Sequence, residues 1–97
     1  MLPLLLRDAA REDLREAYSW YEARRAGLGS EFIAAVRLTF QAVESNPEQY
    51  PVAVDDIRKA PLRQFPYVLY YVALESAVSV IAVMHSRRHP RRWQDRR

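Results

Sequence analysis

The sequence predicts an α+β fold in which an N-terminal strand and a two-helix antiparallel hairpin precede a three-stranded, mainly antiparallel sheet, in the order β-α-α-β-β-β. Three observations carry this reading. Apolar residues recur at helical spacing before Asn46, β-branched and aromatic runs of strand length follow Pro47, and Gly27 and Gly29 sit together as one break in the helical half. The chain has 97 residues, 49% of them hydrophobic, enough for one core and too few for two. A single domain over residues 1–97 is expected.

The opening Met1-Leu2-Pro3-Leu4-Leu5-Leu6 runs straight into Arg7-Asp8, with no basic stretch before it and no small-residue cleavage site after it. It reads as a strand rather than an export signal. From Ala9 to Ala26 the apolar residues Ala10, Leu14, Ala17 and Tyr21 form one helical face, with Asp8 as the expected N-cap and Glu12 and Asp13 suited to the positive helix end. Trp20 lies off that face and is a candidate exposed contact. A second helix is expected from Ser30 to about Ser45, with Phe32, Val36, Phe40 and Val43 buried and Asn46-Pro47 as its stop. The Gly27-Leu28-Gly29 link makes the two helices an antiparallel hairpin.

Ile57–Leu62 is the next strand, and Pro61, which cannot donate to a ladder, suits a strand end or a sheet edge. Tyr67–Leu74 and Ala77–His85 follow, with Glu75-Ser76 as a tight hairpin turn between them. Val78, Val80, Ala82 and Met84 alternate with Ile81 and Val83, so both faces of this last strand are apolar. Such a strand belongs in the interior of a sheet, with helices on one face and other material shielding the second.

Composition narrows the chemistry. No cysteine is present, which excludes disulfides, thiolate metal sites and a cysteine nucleophile, and fits the cytoplasm. The longest apolar run near the far end, Ala77–Met84, is far below the roughly 18 residues of a membrane span. His89-Pro90 lacks companions at ligand spacing, so neither a metal nor another cofactor is expected. The formal net charge is +3, from fifteen basic residues of which only Lys59 is a lysine, against twelve acidic ones. After Ile57 only Glu75 and Asp95 are acidic, whereas Arg58, Lys59, Arg63, Arg87, Arg88, Arg91, Arg92, Arg96 and Arg97 are basic. This asymmetry suggests an anionic partner, either nucleic acid or an acidic protein segment.

Four ordered stretches resemble the RelE/ParE toxin superfamily of type II toxin-antitoxin systems: GLGSEF (Gly27 to Phe32), NPEQYP (Asn46 to Pro51), RKAPLRQFPYVLYYV (Arg58 to Val72) and VMHSRRHPRRW (Val83 to Trp93). The resemblance spans nearly the whole chain. It implies a RelE/ParE-like fold and a cytoplasmic bacterial toxin, held in a hetero-oligomer by a co-expressed antitoxin whose C-terminal segment wraps around it. Within the superfamily, RelE-like members cut messenger RNA on the ribosome and ParE-like members, the plasmid-stabilisation branch, inhibit DNA gyrase.

RNA cleavage without a metal needs a base, an acid and cations to stabilise the phosphorane. RNA-cutting members usually carry an arginine directly after the tyrosine that Tyr67 resembles, and here that position is Val68. The departure favours the gyrase-inhibitor branch, with Arg87, Arg88, Arg91, Arg92, Trp93 and Trp20 as target or antitoxin contacts. The alternative is a ribosome-dependent endoribonuclease with His85 as base or acid, Arg58, Arg63 and Arg87 as cations, and Tyr70 or Tyr71 nearby. A third reading is a non-toxic interaction module of the same fold. Each residue also has an ordinary role: His85 as a hydrogen-bonded strand end, Arg58, Lys59 and Arg63 as a solvated strand face, Trp93 as a side chain folded back on its own domain. Phe65 and Tyr67, flanking Pro66, are expected to plug the sheet edge.

Overall fold

The computed structural model describes residues 2–87. The chain runs β1 (Leu4–Leu6), α1 (Asp8–Arg24), α2 (Leu28–Ser45), a 3-10 turn (Pro47–Gln49), β2 (Val52–Val54), β3 (Ile57–Pro61), β4 (Tyr67–Ala73) and β5 (Val78–His85). All five strands join one sheet in the order β1-β5-β4-β3-β2. The four later strands form an antiparallel meander, and β1 closes the other side by pairing parallel to β5, with Leu4 opposite Val78 and Leu6 opposite Val80. Thus β5 is interior, flanked by β1 and β4. Pro61 ends β3, where its missing N–H costs no ladder bond. The short β2 was not expected from the sequence and makes β3 interior as well.

The helical hairpin is built by local chemistry. The residue preceding α1 is Arg7, with no side-chain cap, and Asp8 is already the first helical residue rather than the expected N-cap. Gly27 precedes α2 with φ +91°, a conformation that a side chain disfavours. It has no side chain with which to cap the helix, and Glu22 of α1 does so: its Oε2 accepts the Gly27 N–H and its Oε1 the Gly29 N–H, both at 2.9 Å. The carboxylate satisfies two donors left open at the helix start and sits at the positive end of its dipole. A Cβ on Gly29 would lie 2.8 Å from the Tyr18 ring, so glycine there permits the two helices to approach.

Ala10, Ala17 and Tyr21 of α1 and Phe32, Val36 and Val43 of α2 are buried against Ala60, Leu69, Tyr71, Val78, Val80 and Val83 of the sheet. A second apolar cluster, Ile57, Val72, Ile81, Ala82 and Met84, includes the residues that β5 presents away from the helices; Val54 and Tyr70 are half-buried against it. The strict alternation expected for β5 is broken. Tyr70 pairs with Ala82 and Tyr71 with Val80, which leaves Ile81 as the extra residue of a bulge. The bulge advances the pattern by one, placing Ala82 with the second cluster and Val83 with the first. His85 is thereby brought to the helix side of the sheet, two residues beyond Val83.

Candidate functional site

Where the far end of β5 meets α1, the two elements open into a cleft of about 590 Å3. Its α1 wall carries Asp13, Glu16, Ala17, Trp20 and Tyr21, and its sheet wall Pro66, Tyr67, Val83, Met84, His85 and Arg87. These α1 residues follow the three-to-four spacing of one helical face, so a single helix supplies carboxylates at one end of the wall and aromatic rings at the other. The sheet wall comes from the start of β4 and the end of β5, neighbours in the ladder with Tyr67 opposite His85.

Tyr21, Phe32, Phe65 and Tyr67 form a packed aromatic group, with Tyr21 stacked on Phe32 at 5.3 Å and Phe65 edge-on to both. Burial, reinforced by Tyr67, raises the pKa of Tyr21 above the ordinary phenol value. His85 lies edge-on to Tyr67 at 5.4 Å, and its Nδ1 accepts the Arg87 N–H at 3.1 Å. The Ser86 N–H donates to the Pro66 carbonyl at 2.8 Å, which ties the turn after β5 to the start of β4. Trp20 is 52% exposed, with the Arg24 guanidinium 4.2 Å from its ring centre. An exposed indole braced by a cation is suited to burial by a partner.

The helical hairpin carries a separate, shallower groove of about 510 Å3, lined by Tyr18, Ser30, Ile33, Ala34, Arg37 and Leu38. Leu38, 60% exposed, is the most solvent-facing large apolar residue described. Arg37 is the one charged side chain among the described residues of this lining.

The sequence-predicted residues are only partly brought together. His85 and Arg87 share the cleft, and Arg63 stands exposed in the β3–β4 loop at the same end of the sheet. Arg58 belongs to the other end, where its Nη1 donates to the Tyr50 carbonyl at 2.6 Å and to the Glu48 carbonyl at 3.3 Å. Neither Tyr70 nor Tyr71 accompanies His85. Tyr70 packs with the second cluster, and Tyr71 is fully buried with its hydroxyl donating to the Pro47 carbonyl. Burial pushes the Tyr71 pKa up to about 12, against the lowering effect of Arg58 and with a further rise from Tyr50. Val68 pairs with Met84 and, by the alternation of β4, faces away from His85. Arg88, Arg91, Arg92 and Trp93 lie outside the described residues. Sequence reasoning missed Asp13, Glu16, Tyr21 and Tyr67 as cleft residues; the spacing of Asp13, Glu16 and Trp20 on one helical face was the available signal.

Among the described residues no helix is long and apolar enough to cross a membrane, and no group of three or more acidic or histidine side chains is placed to hold a metal ion.

A helical hairpin laid on a mixed five-stranded sheet, with a cleft between the first helix and the last strand, defines a small α+β domain of the RelE/ParE kind. The model of the family "ParE toxin of type II toxin-antitoxin system, parDE" matches residues 4–90, and the chain belongs to that family. Among solved structures, the chromosomal ParDE TA system from P. aeruginosa shares the fold, with a TM-score of 0.78 at 15% identity, over 88% of this chain and 96% of that one. No curated protein sequence matches.

Proposed function

We propose that this toxin acts in the bacterial cytoplasm by binding DNA gyrase, and that a co-expressed antitoxin neutralises it by covering its apolar surface. The observation that carries the first half is the make-up of the cleft. It offers an exposed indole, a packed aromatic floor and Arg87, the features of a protein-binding hot spot. Among the described residues its lining holds a single arginine, Arg87; Val68 is aliphatic, and Arg58 is engaged with two carbonyls at the other end of the sheet. Binding alone suffices for such a toxin. The test is gyrase supercoiling by the purified protein: inhibition at micromolar concentration is expected, and an untouched enzyme removes this reading.

For the antitoxin, the hairpin groove suggests an amphipathic segment that buries Ile33, Ala34 and Leu38 and sets a carboxylate against Arg37. A hetero-oligomer results.

One observation keeps a second reading in view. Tyr67, His85 and Arg87 share one wall, so an imidazole, a phenol and a guanidinium converge on one space, as a metal-independent ribonuclease of the RelE type requires. Ribosome-dependent cleavage lost in His85→Ala or Arg87→Ala supports this reading, and cleavage unchanged in both rejects it.

A further inference from the structure

We propose that Asp13 is a positioning residue, whose carboxylate in the seam between α1 and β5 fixes the strand end that carries His85 and Arg87. The inference rests on the reading above, in which this end makes the target contact, and on an unusual hydrogen bond. Asp13 Oδ2 accepts the backbone N–H of Val83 at 3.0 Å, across 70 residues of sequence.

The need for that bond follows from the topology. β1 is three residues long and covers β5 only from Val78 to Val80, and just after it the Arg7 N–H donates to the Val80 carbonyl at 3.0 Å. The chain then turns into α1, while β5 continues to His85. N–H groups along a strand alternate sides. The Ser86 N–H is directed to Pro66 at the β4 side, so the Val83 N–H, an odd number of residues away, faces the side that β1 has vacated. A partly buried donor there has no strand to meet it and carries a desolvation penalty unless something else accepts. Asp13 does.

Its place in α1 supports this role. Asp13 is the sixth residue of the helix, beyond the first turn where an acid serves the helix dipole, and it occupies the same face as Glu16, Ala17 and Trp20. The end of β5 is therefore held from both sides, by Pro66 through Ser86 and by Asp13 through Val83. The two bonds together set the separation of the cleft walls and the direction in which His85 and Arg87 leave the strand.

The test uses the full-length toxin with Asp13→Ala, Asp13→Asn and Asp13→Glu. In Asp13→Ala the Val83 amide should exchange with solvent at least tenfold faster, the His85 and Arg87 amide resonances should shift, and the concentration that half-inhibits gyrase should rise at least fivefold. Asn retains an acceptor oxygen at the same reach, so Asp13→Asn should restore inhibition to within about twofold of the parent, which a purely ionic role does not predict. A Val83 amide that exchanges at the parent rate in Asp13→Ala overturns the proposal, as does full inhibition by a variant whose Val83 amide has been freed. If Asp13→Ala does not fold, Asp13→Glu replaces it, keeping the charge while moving the oxygen by one bond. Unshifted His85 and Arg87 resonances in that variant again overturn the proposal. Should the parent toxin leave gyrase untouched, the functional reading falls by itself, and the amide measurements still decide whether Asp13 positions the strand end.

Discussion

The Tyr71 hydroxyl reaches out of a buried strand to hold the turn that follows α2. It donates to the Pro47 carbonyl, while Arg58 secures the next stretch through Glu48 and Tyr50. Tyr71→Phe removes the donor and leaves a carbonyl unpaired, so a loss of about 1–2 kcal/mol is expected in chemical denaturation. The same residue gives an alkaline signature. Its folded pKa of about 12 exceeds the ordinary 10.0, so the unfolded chain releases the proton first as pH rises. Its contribution is fully present below pH 10 and is lost as pH climbs through the folded value. Thermal melts at pH 9 and pH 11 should therefore show a smaller drop for Tyr71→Phe than for the parent; equal drops contradict the assignment. The tyrosine was visible in the sequence as a strand residue, but its partner was not, since nothing local links positions 47 and 71.

Among the elements, both helices were legible from their periodic apolar faces, and β3 to β5 from strand-length runs of β-branched and aromatic residues bounded by turn residues. β2 was not. Val52-Ala53-Val54 is three residues between Pro51 and Asp55, too short for a period, and it acquires strand geometry from pairing with β3. The bulge at Ile81 was equally hidden, because a continuous apolar run looks the same with or without a one-residue shift, and His85 could not be assigned a face without it. The existence of the hairpin was read from its two glycines, but the break spans residues 25–27 and Gly29 lies in the first turn of α2, which starts at Leu28 rather than Ser30; the Glu22 cap depends on a carboxylate five and seven residues away. The element-level prediction concerns the hairpin groove. Leu38→Glu sets a carboxylate in the apolar part of the groove at a position 60% exposed in the free chain. It should leave the helical circular dichroism unchanged and weaken antitoxin binding at least tenfold by calorimetry. Unaltered binding places the antitoxin elsewhere.

At the scale of the molecule, β5 is the shared member: it pairs with the first strand on one side and with β4 on the other, and α1 packs over it. Little of the remaining sheet can persist without it, so β1 and β5 should unfold as one unit with the core. Native-state hydrogen exchange tests this, with the Val80 and Leu69 amides expected to open at the same free energy within about 1 kcal/mol. A β1–β5 pair that opens separately argues against a single cooperative core.

Position along the chain also gives the two surfaces different histories during synthesis. The hairpin groove uses residues 18 to 38, close neighbours in sequence, whereas the cleft is incomplete until Val83, His85 and Arg87 have been added and β5 has been threaded between β1 and β4. A ribosome that delivers the N-terminal part first exposes the hairpin groove before the cleft is assembled. If the antitoxin takes the hairpin groove as proposed, it can engage the nascent chain before the cleft exists.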